Sequence, residues 1–219
     1  MTVSQTPEGK YYASILFQYE DQVQEKEMQR FLGLDFSMHE LYRDSNGNEP
    51  AYPRYYRKAE KKLAREQRRL SKMQKGSNNR GKQRIKLAKL HEKVSNQRKD
   101  FLHKQSRQIT NAYDCICIED LDMKAMSRSL NFGKFVSDNG WGMFTTFLKY
   151  KLEEQGKKLV KVDKFFASSQ ICSACGYKNT KTKNLALRKW DCPQCVIHHD
   201  RDVNAAINIR NEGMRLVIA

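Results

Sequence analysis

Four cysteines, Cys172 and Cys175 followed by Cys192 and Cys195, form two C-x-x-C pairs separated by sixteen residues. Thiolates at this spacing predict a closed, tetrahedral zinc site of the ribbon type. The site is expected to be structural, because a catalytic zinc needs an open coordination position. Just past the last cysteine comes Asp202, in the run D-R-D-V-N-A-A, and two further carboxylates stand on apolar runs: Asp35 in FLGLDFS and Glu119 in CICIEDL. An acid on a buried strand is costly unless its charge is compensated. Divalent cations supply that compensation, and Mg2+ prefers hard oxygen ligands, which selects Asp and Glu over Cys and His. Two such ions roughly 3.5–4 Å apart activate water and stabilise a leaving oxygen in phosphodiester cleavage. Taken singly, each acid has a plainer reading as a turn residue or salt-bridge partner. Asp120 competes with Glu119, and Asp200 with Asp202, since either of the last two could cap a helix.

The elements that must position these groups read as alternating strands and helices. Residues 10–19 are aromatic and apolar and predict a strand, followed by a polar linker over 22–30. A buried strand over 31–36 precedes a second strand over 39–43 and a turn at Asp44-Ser45-Asn46-Gly47. Residues 54–75 lack Gly and Pro and place Tyr56, Ala59, Leu63, Leu70 and Met73 on a helical stripe. The run 76–81, GSNNRG, breaks it, and a second helix extends to about 112 with Leu87, Leu90, Val94, Phe101 and Ile109 on one face. Two helices joined by a short turn predict an antiparallel hairpin. A strand over 115–119, an irregular segment over 123–138, a helix over 142–155, a strand over 159–163, the ribbon and a terminal helix over 202–215 complete an α/β pattern. Cys115 and Cys117 share one strand face and are expected as core thiols.

Charge is concentrated. The chain carries a formal net charge of +16, and residues 54–107 hold 20 Lys and Arg against 4 acids, so this segment accounts for the whole excess. A charge run is usually a solvated face, but this density predicts contact with a polyanion through phosphates. The candidate contacts are Lys61, Lys62, Arg65, Arg68, Arg69, Lys72, Arg80, Lys82, Arg84, Lys86 and Lys89. Trp141, Trp190 and Tyr177 could stack on bases, with core packing equally expected for the tryptophans. His198 and His199 follow the last cysteine; one could touch nucleic acid or replace a ligand, but both are read first as surface histidines. No apolar run approaches the length of a membrane span, and the N-terminus lacks a signal-peptide pattern, so a cytoplasmic, nucleoid-associated protein with thiols rather than disulfides is expected.

FLGLDFS, CICIEDLDM, SSQICSACGY…WDCPQC and HHDRDVNAAINI occur in this order and together resemble the TnpB (OrfB) family, transposon-encoded RNA-guided nucleases related to the type V CRISPR effectors. The resemblance runs from about residue 31 to 212. It implies a RuvC-like (RNase H-type) α/β fold with a basic helical-hairpin insertion and an inserted zinc ribbon. Asp35, Glu119 and Asp202 match the family's acidic triad, Asp202 because the third acid lies two residues before the Asn of N-A-A. Cys172, Cys175, Cys192 and Cys195 match the ribbon. The implied division is a remnant strand and linker over 1–30, a nuclease core over 31–165 including the hairpin 54–112, the ribbon over 166–199, and the returning core over 200–219. The implied activity is Mg2+-dependent DNA cleavage, with Mn2+ as an alternative ion, leaving 5′-phosphate and 3′-hydroxyl ends. The implied partners are DNA and a guide RNA, with no membrane and no small-molecule substrate. Two departures stand out. Val196 occupies a position where the second knuckle often has Gly, and only about thirty residues precede the first acidic motif. The expectation is therefore a fragment, or an internally started or degraded product, lacking most of the part that holds the guide. The rival reading is a non-cleaving nucleic-acid-binding accessory protein; a transcription-type zinc-ribbon module leaves the triad unexplained.

Overall fold

A computed structural model of the chain describes residues 1–20, 22–123, 125–126, 138–184 and 186–218. Most of the irregular segment expected over 123–138 lies outside the described residues. The chain divides into two compact units, Met1–Gln22 with Pro53–Phe101, and Val23–Tyr52 with Leu102–Ala219.

In the first unit, β1 (Thr2–Gln5) and β2 (Tyr11–Ser14) pair antiparallel. The strand expected over 10–19 is thus shorter than predicted. Helices α1 (Tyr55–Ser71) and α2 (Asn78–Ala112) form the expected hairpin, and α2 continues into the second unit from Leu102. Its seam buries Leu63, Leu87 and Val94 beneath Tyr55, Tyr56, Ala59, Leu70 and Leu90. The predicted stripe residues Tyr56, Ala59, Leu63, Leu70, Leu87, Leu90 and Val94 therefore build the hairpin core, whereas Ile109 is buried in the second unit. The helix α2 starts inside the expected Gly/Asn break, because Ser77 Oγ accepts from the Arg80 N–H at 3.3 Å and caps it. Buried Glu66 accepts from Gln83 at 2.8 Å and faces Lys86 at 3.2 Å and Arg65 at 3.3 Å, and these bonds, Gln83 first, pull its pKa down to about 2.

The second unit is a four-stranded sheet with helices on both faces. Its order is β4 (Leu41–Asp44), β3 (Phe31–Ser37), β5 (Cys115–Glu119) and β6 (Lys158–Val162). The pair β3–β4 is antiparallel, whereas β3–β5 and β5–β6 are parallel. Successive side chains on a strand point to opposite faces. One face therefore carries Leu32, Leu34, Ile116 and Ile118, and the helix α3 (Trp141–Glu153) lies on it, with Phe36 edge-on to Trp141 at 5.4 Å. The other face carries Gly33, Asp35, Cys115, Cys117 and Glu119 and is covered by the terminal helix α4 (Arg201–Ile218), whose Ile209 joins Cys115, Cys117 and Val162 in a buried cluster. Both cysteines are fully buried, as expected of core thiols.

Parallel register is pinned below the sheet. Asp114 enters β5, and its carboxylate accepts from the Arg30 backbone N–H at 3.0 Å and from the guanidinium at 3.0 and 3.2 Å, just before β3 begins. Burial of α4 against β3 demands small residues. A Cβ on Gly33 would stand 2.0 Å from the Ala206 carbonyl oxygen, and one on Gly213 would stand 2.2 Å from Cys117 Sγ. Among the described residues, no helix is long and apolar enough to cross a membrane.

Candidate functional site

The register of β3 against β5 runs Gly33 beside Cys117 and Leu34 beside Ile118. One step further along each strand come Asp35 and Glu119. The two acids therefore leave neighbouring parallel strands at their carboxyl ends and on the same face, the place where open α/β sheets bind ligands. The helix α4 covers that face and carries the third acid, Asp202, in its first turn. Burial, then the charges of Asp202 and Glu119, push the Asp35 carboxyl well above the ordinary range, opposed by Arg201. Burial pushes Glu119 up to about 7. Three acids from separate parts of the sequence thus share one field, with two of them desolvated and costly to ionise. This is the donor chemistry that suits hard divalent cations.

The paired alternatives at the sequence level differ in what their side chains meet. Asp120 points away from this face and pairs with Lys161 at 2.7 Å, half-exposed. Asp200 caps α4, its Oδ1 accepting from the N–H groups of Asp202 and Val203, both at 3.1 Å. Asp202 is released from capping and instead meets Arg188 Nη1 at 3.1 Å. Arg188 is absent from the sequence-based candidates, and no motif in the sequence marks it. A groove lined by Glu119, Asp120, Met123, Trp141, Gly142 and Lys161, about 240 Å³, opens beside Glu119.

The four cysteine sulfurs gather within 4.8 Å of one another, with Cys172–Cys195 and Cys175–Cys192 each at 3.6 Å. Tetrahedral zinc with bonds of about 2.3 Å needs sulfurs roughly 3.8 Å apart, so the set fits zinc. Among the described residues this is the cluster that could hold a metal ion. The two knuckles repeat one hydrogen-bond pattern. The Gly176 N–H donates to the Cys172 carbonyl at 2.9 Å and the Val196 N–H to the Cys192 carbonyl at 2.8 Å. Both turns are left-handed, at φ 78 for Gly176 and φ 61 for Val196. Val196 thus keeps the turn that Gly would make, at a steric cost.

The ribbon is stitched to the acid-bearing helix. Asn204, one of the residues of N-A-A, donates to the Ile171 carbonyl at 2.8 Å and accepts from the Ser173 N–H at 2.9 Å. Asn208, one helical turn on, donates to the carbonyls of Ser168 and Ile171 at 2.7 and 2.6 Å. Their i, i+4 spacing on an otherwise apolar helix face is the sequence signal that could have found this role. Strand β7 (Lys189–Asp191) pairs antiparallel with β8 (His198–Asp200), which runs directly into α4. The expectation of two surface histidines holds for one of them. His198 is exposed against Asp191 at 2.7 Å, whereas His199 is buried, because strand alternation turns it inward onto Trp190 and Cys172. Trp190 is a core residue of the ribbon, and Trp141 of the sheet.

The candidate nucleic-acid contacts lie on the helical hairpin. Lys61, Lys62, Arg68, Arg69, Lys72, Lys82, Arg84 and Lys89 are exposed. Arg65 and Lys86 are exposed but face Glu66. Arg80 differs, since its guanidinium donates to the carbonyls of Leu70 and Met73 at 3.0 and 3.1 Å and closes the end of α1.

Residues 14–130 match the OrfB_IS605 family model, described as "Probable transposase", and residues 141–209 match a Cas12f1-like TNB domain. A Streptomyces pristinaespiralis protein described as "Putative RNA-guided DNA endonuclease" is 34% identical over 98% of this chain and 52% of its own length. The Escherichia coli (strain K12) relative InsQ, with the same description, is 32% identical over 97% of this chain and 56% of its own length. The chain therefore spans about half the length of the curated relatives it matches. A cryo-EM structure of a Cas12f1–sgRNA–target DNA complex shares the fold at a TM-score of 0.57 and 20% identity, over 86% of this chain and 51% of that one. With a family model matched across more than half its residues, this chain belongs to the OrfB_IS605 (TnpB) family.

Proposed function

We propose that this chain is the nuclease part of a transposon-associated, RNA-guided DNA endonuclease. In this reading the second unit is a RuvC-like, RNase H-type core, with the basic hairpin and the zinc ribbon as insertions. The observation that carries it is the convergence of Asp35 and Glu119, at adjacent parallel strand ends, on the helix that presents Asp202.

Asp35, Glu119 and Asp202 would hold Mg2+ or Mn2+. When bound, such ions activate water and offset charge on the leaving oxygen. Asp35 and Glu119 contribute fixed anchors, because they sit on hydrogen-bonded strands with buried neighbours on either side. Asp202 would supply the third ligand, and its carboxylate pairs with Arg188 Nη1 at 3.1 Å. The Arg188 guanidinium therefore lies beside the site, where it would bind two phosphate oxygens of the substrate in bidentate fashion. The groove beside Glu119, walled by Trp141, accommodates the strand being cut. Exposed cations of the hairpin bind phosphates rather than bases. Guide RNA joins the assembly through the remainder of the full-length relatives, which are described as RNA-guided.

The test is Mg2+-dependent cleavage of single-stranded DNA by the wild-type chain, Asp202→Ala and Arg188→Ala. Loss of cleavage in both variants with binding retained supports the reading; identical cleavage by wild type and Asp202→Ala sinks it. The second reading is a binding protein that does not cut, favoured by the exposed cations of the helical hairpin. It predicts DNA binding with no cleavage by the wild type under any divalent ion.

A further inference from the structure

His199 is unlike the other histidines of the chain. It sits on β8 at 7% exposure, its ring tilted against Trp190 at 4.7 Å between centroids, and its Nε2 lies 3.1 Å from Cys172 Sγ. A metal-bound thiolate has lone pairs and no proton, so the hydrogen of this contact belongs to the imidazole. With zinc on the cysteines, Nε2 would carry the proton of this contact. Residue 199 also stands one position before Asp200, the cap of α4, and three before Asp202.

We propose that His199 is an outer-sphere partner of the ribbon's zinc, donating to the Cys172 thiolate and tying that ligand to the strand that leads into the acid-bearing helix. It is a positioning residue and touches neither substrate nor the reacting atoms. The proposal rests on zinc occupying the four-cysteine site. Cys172 receives a side-chain donor from outside the cluster, whereas the sulfur contacts Cys172–Cys195 and Cys175–Cys192 stay within it. A hydrogen bond to a coordinated thiolate draws off part of its negative charge, so losing the imidazole donor makes the Cys172 sulfur more nucleophilic. Partners of this kind typically change metal affinity by about 10–100-fold.

The full chain is purified with zinc as wild type, His199→Phe and His199→Gln. Phenylalanine keeps the ring against Trp190 and removes the donor; glutamine restores an N–H near the position of Nε2. Two quantities are read: zinc affinity by competition with a chromogenic chelator, and the rate of iodoacetamide modification at each cysteine by peptide mass spectrometry. The expected result is zinc affinity about 10–100-fold weaker in His199→Phe, partly recovered in His199→Gln, with alkylation accelerated at Cys172 ahead of the other three. A uniform rise at all four cysteines in both variants means that His199 only supports folding, and it overturns the proposal. Unchanged affinity and unchanged Cys172 reactivity overturn it as well, while leaving the zinc site intact. Wild-type protein that retains no zinc rejects the ribbon assignment itself, a distinct failure.

Discussion

Replacing Gly33 by alanine tests the seat on which the third acid depends. Its added Cβ would lie 2.0 Å from the Ala206 carbonyl oxygen, 2.8 Å from the Arg210 nitrogen and 2.9 Å from the Arg210 Cβ. Ordinary carbon contacts need about 3.5 Å, so α4 must retreat from β3 by roughly 1 Å or more. The obstacles are chiefly backbone, which cannot rotate out of the way. Overpacking of this kind costs about 1–3 kcal/mol, and the upper end is expected here. For a chain of this size that is a fall in Tm of about 6–12 °C, or about 1 M in the urea midpoint. Retreat of α4 also carries Asp202 away from Asp35 and Glu119, and a misplacement of about 1 Å can lower a rate by ~100-fold. Urea unfolding followed by far-UV circular dichroism, with cleavage measured where the variant is folded, reads both effects. Gly81→Ala is the control: it lies within α2 with nothing within 4 Å of the added Cβ, and should be about 0.5–1 kcal/mol more stable. If Gly33→Ala unfolds at the wild-type urea concentration, the close approach of α4 to β3 is not what holds the acid in place.

Arg30→Ala tests the register pin. The Arg30 guanidinium and backbone N–H hold the Asp114 carboxyl below its ordinary value of 3.8. A depressed carboxylate stabilises the fold above its unfolded pKa and loses that contribution as pH falls through the folded value. Wild type should therefore lose stability on acidification below about pH 4, and Arg30→Ala should melt lower at neutral pH with a weaker acid-dependent fall; parallel curves would refute the pin. Val196→Gly relieves a β-branched residue held at φ 61, and the zinc-loaded variant should be more stable by about 0.5–1 kcal/mol, an unchanged melting curve counting against strain at the knuckle. Neutralising Lys61, Lys62, Arg68, Arg69 and Lys72 should flatten the dependence of log K on log salt by about 0.9 for each duplex phosphate that the variant no longer neutralises. A slope equal to that of the wild type would remove the hairpin from the interface.

Periodicity makes most elements legible. The strand over 115–119 and the paired helical stripes match because each rests on local patterning, in which apolar residues at a fixed period can bury only one way. The expectation for 10–19 runs long for the same reason: an aromatic run looks like a buried strand, yet β2 is short and exposed. His199 departs from its expected exposure because residue type suggests a surface position, whereas strand alternation beside Cys172 decides otherwise. Arg188 escapes sequence reasoning because an isolated arginine fourteen residues before its carboxylate partner has no spacing signature.

The types of candidate ligand are legible along the chain. Cysteine pairs at C-x-x-C spacing can converge on one ion because the knuckle is local, and the acidic runs carry oxygen donors into apolar surroundings. Which acids meet depends on how the strands and the covering helix are assembled. Asp35 and Glu119 stand side by side because parallel register, pinned by Asp114 and Arg30, aligns their strands. Asp202 rather than Asp200 faces them because Asp200 is consumed in capping the helix. Contacts between residues far apart in the chain depend on register, face and close approach, and only the assembled sheet and its covering helix set those quantities.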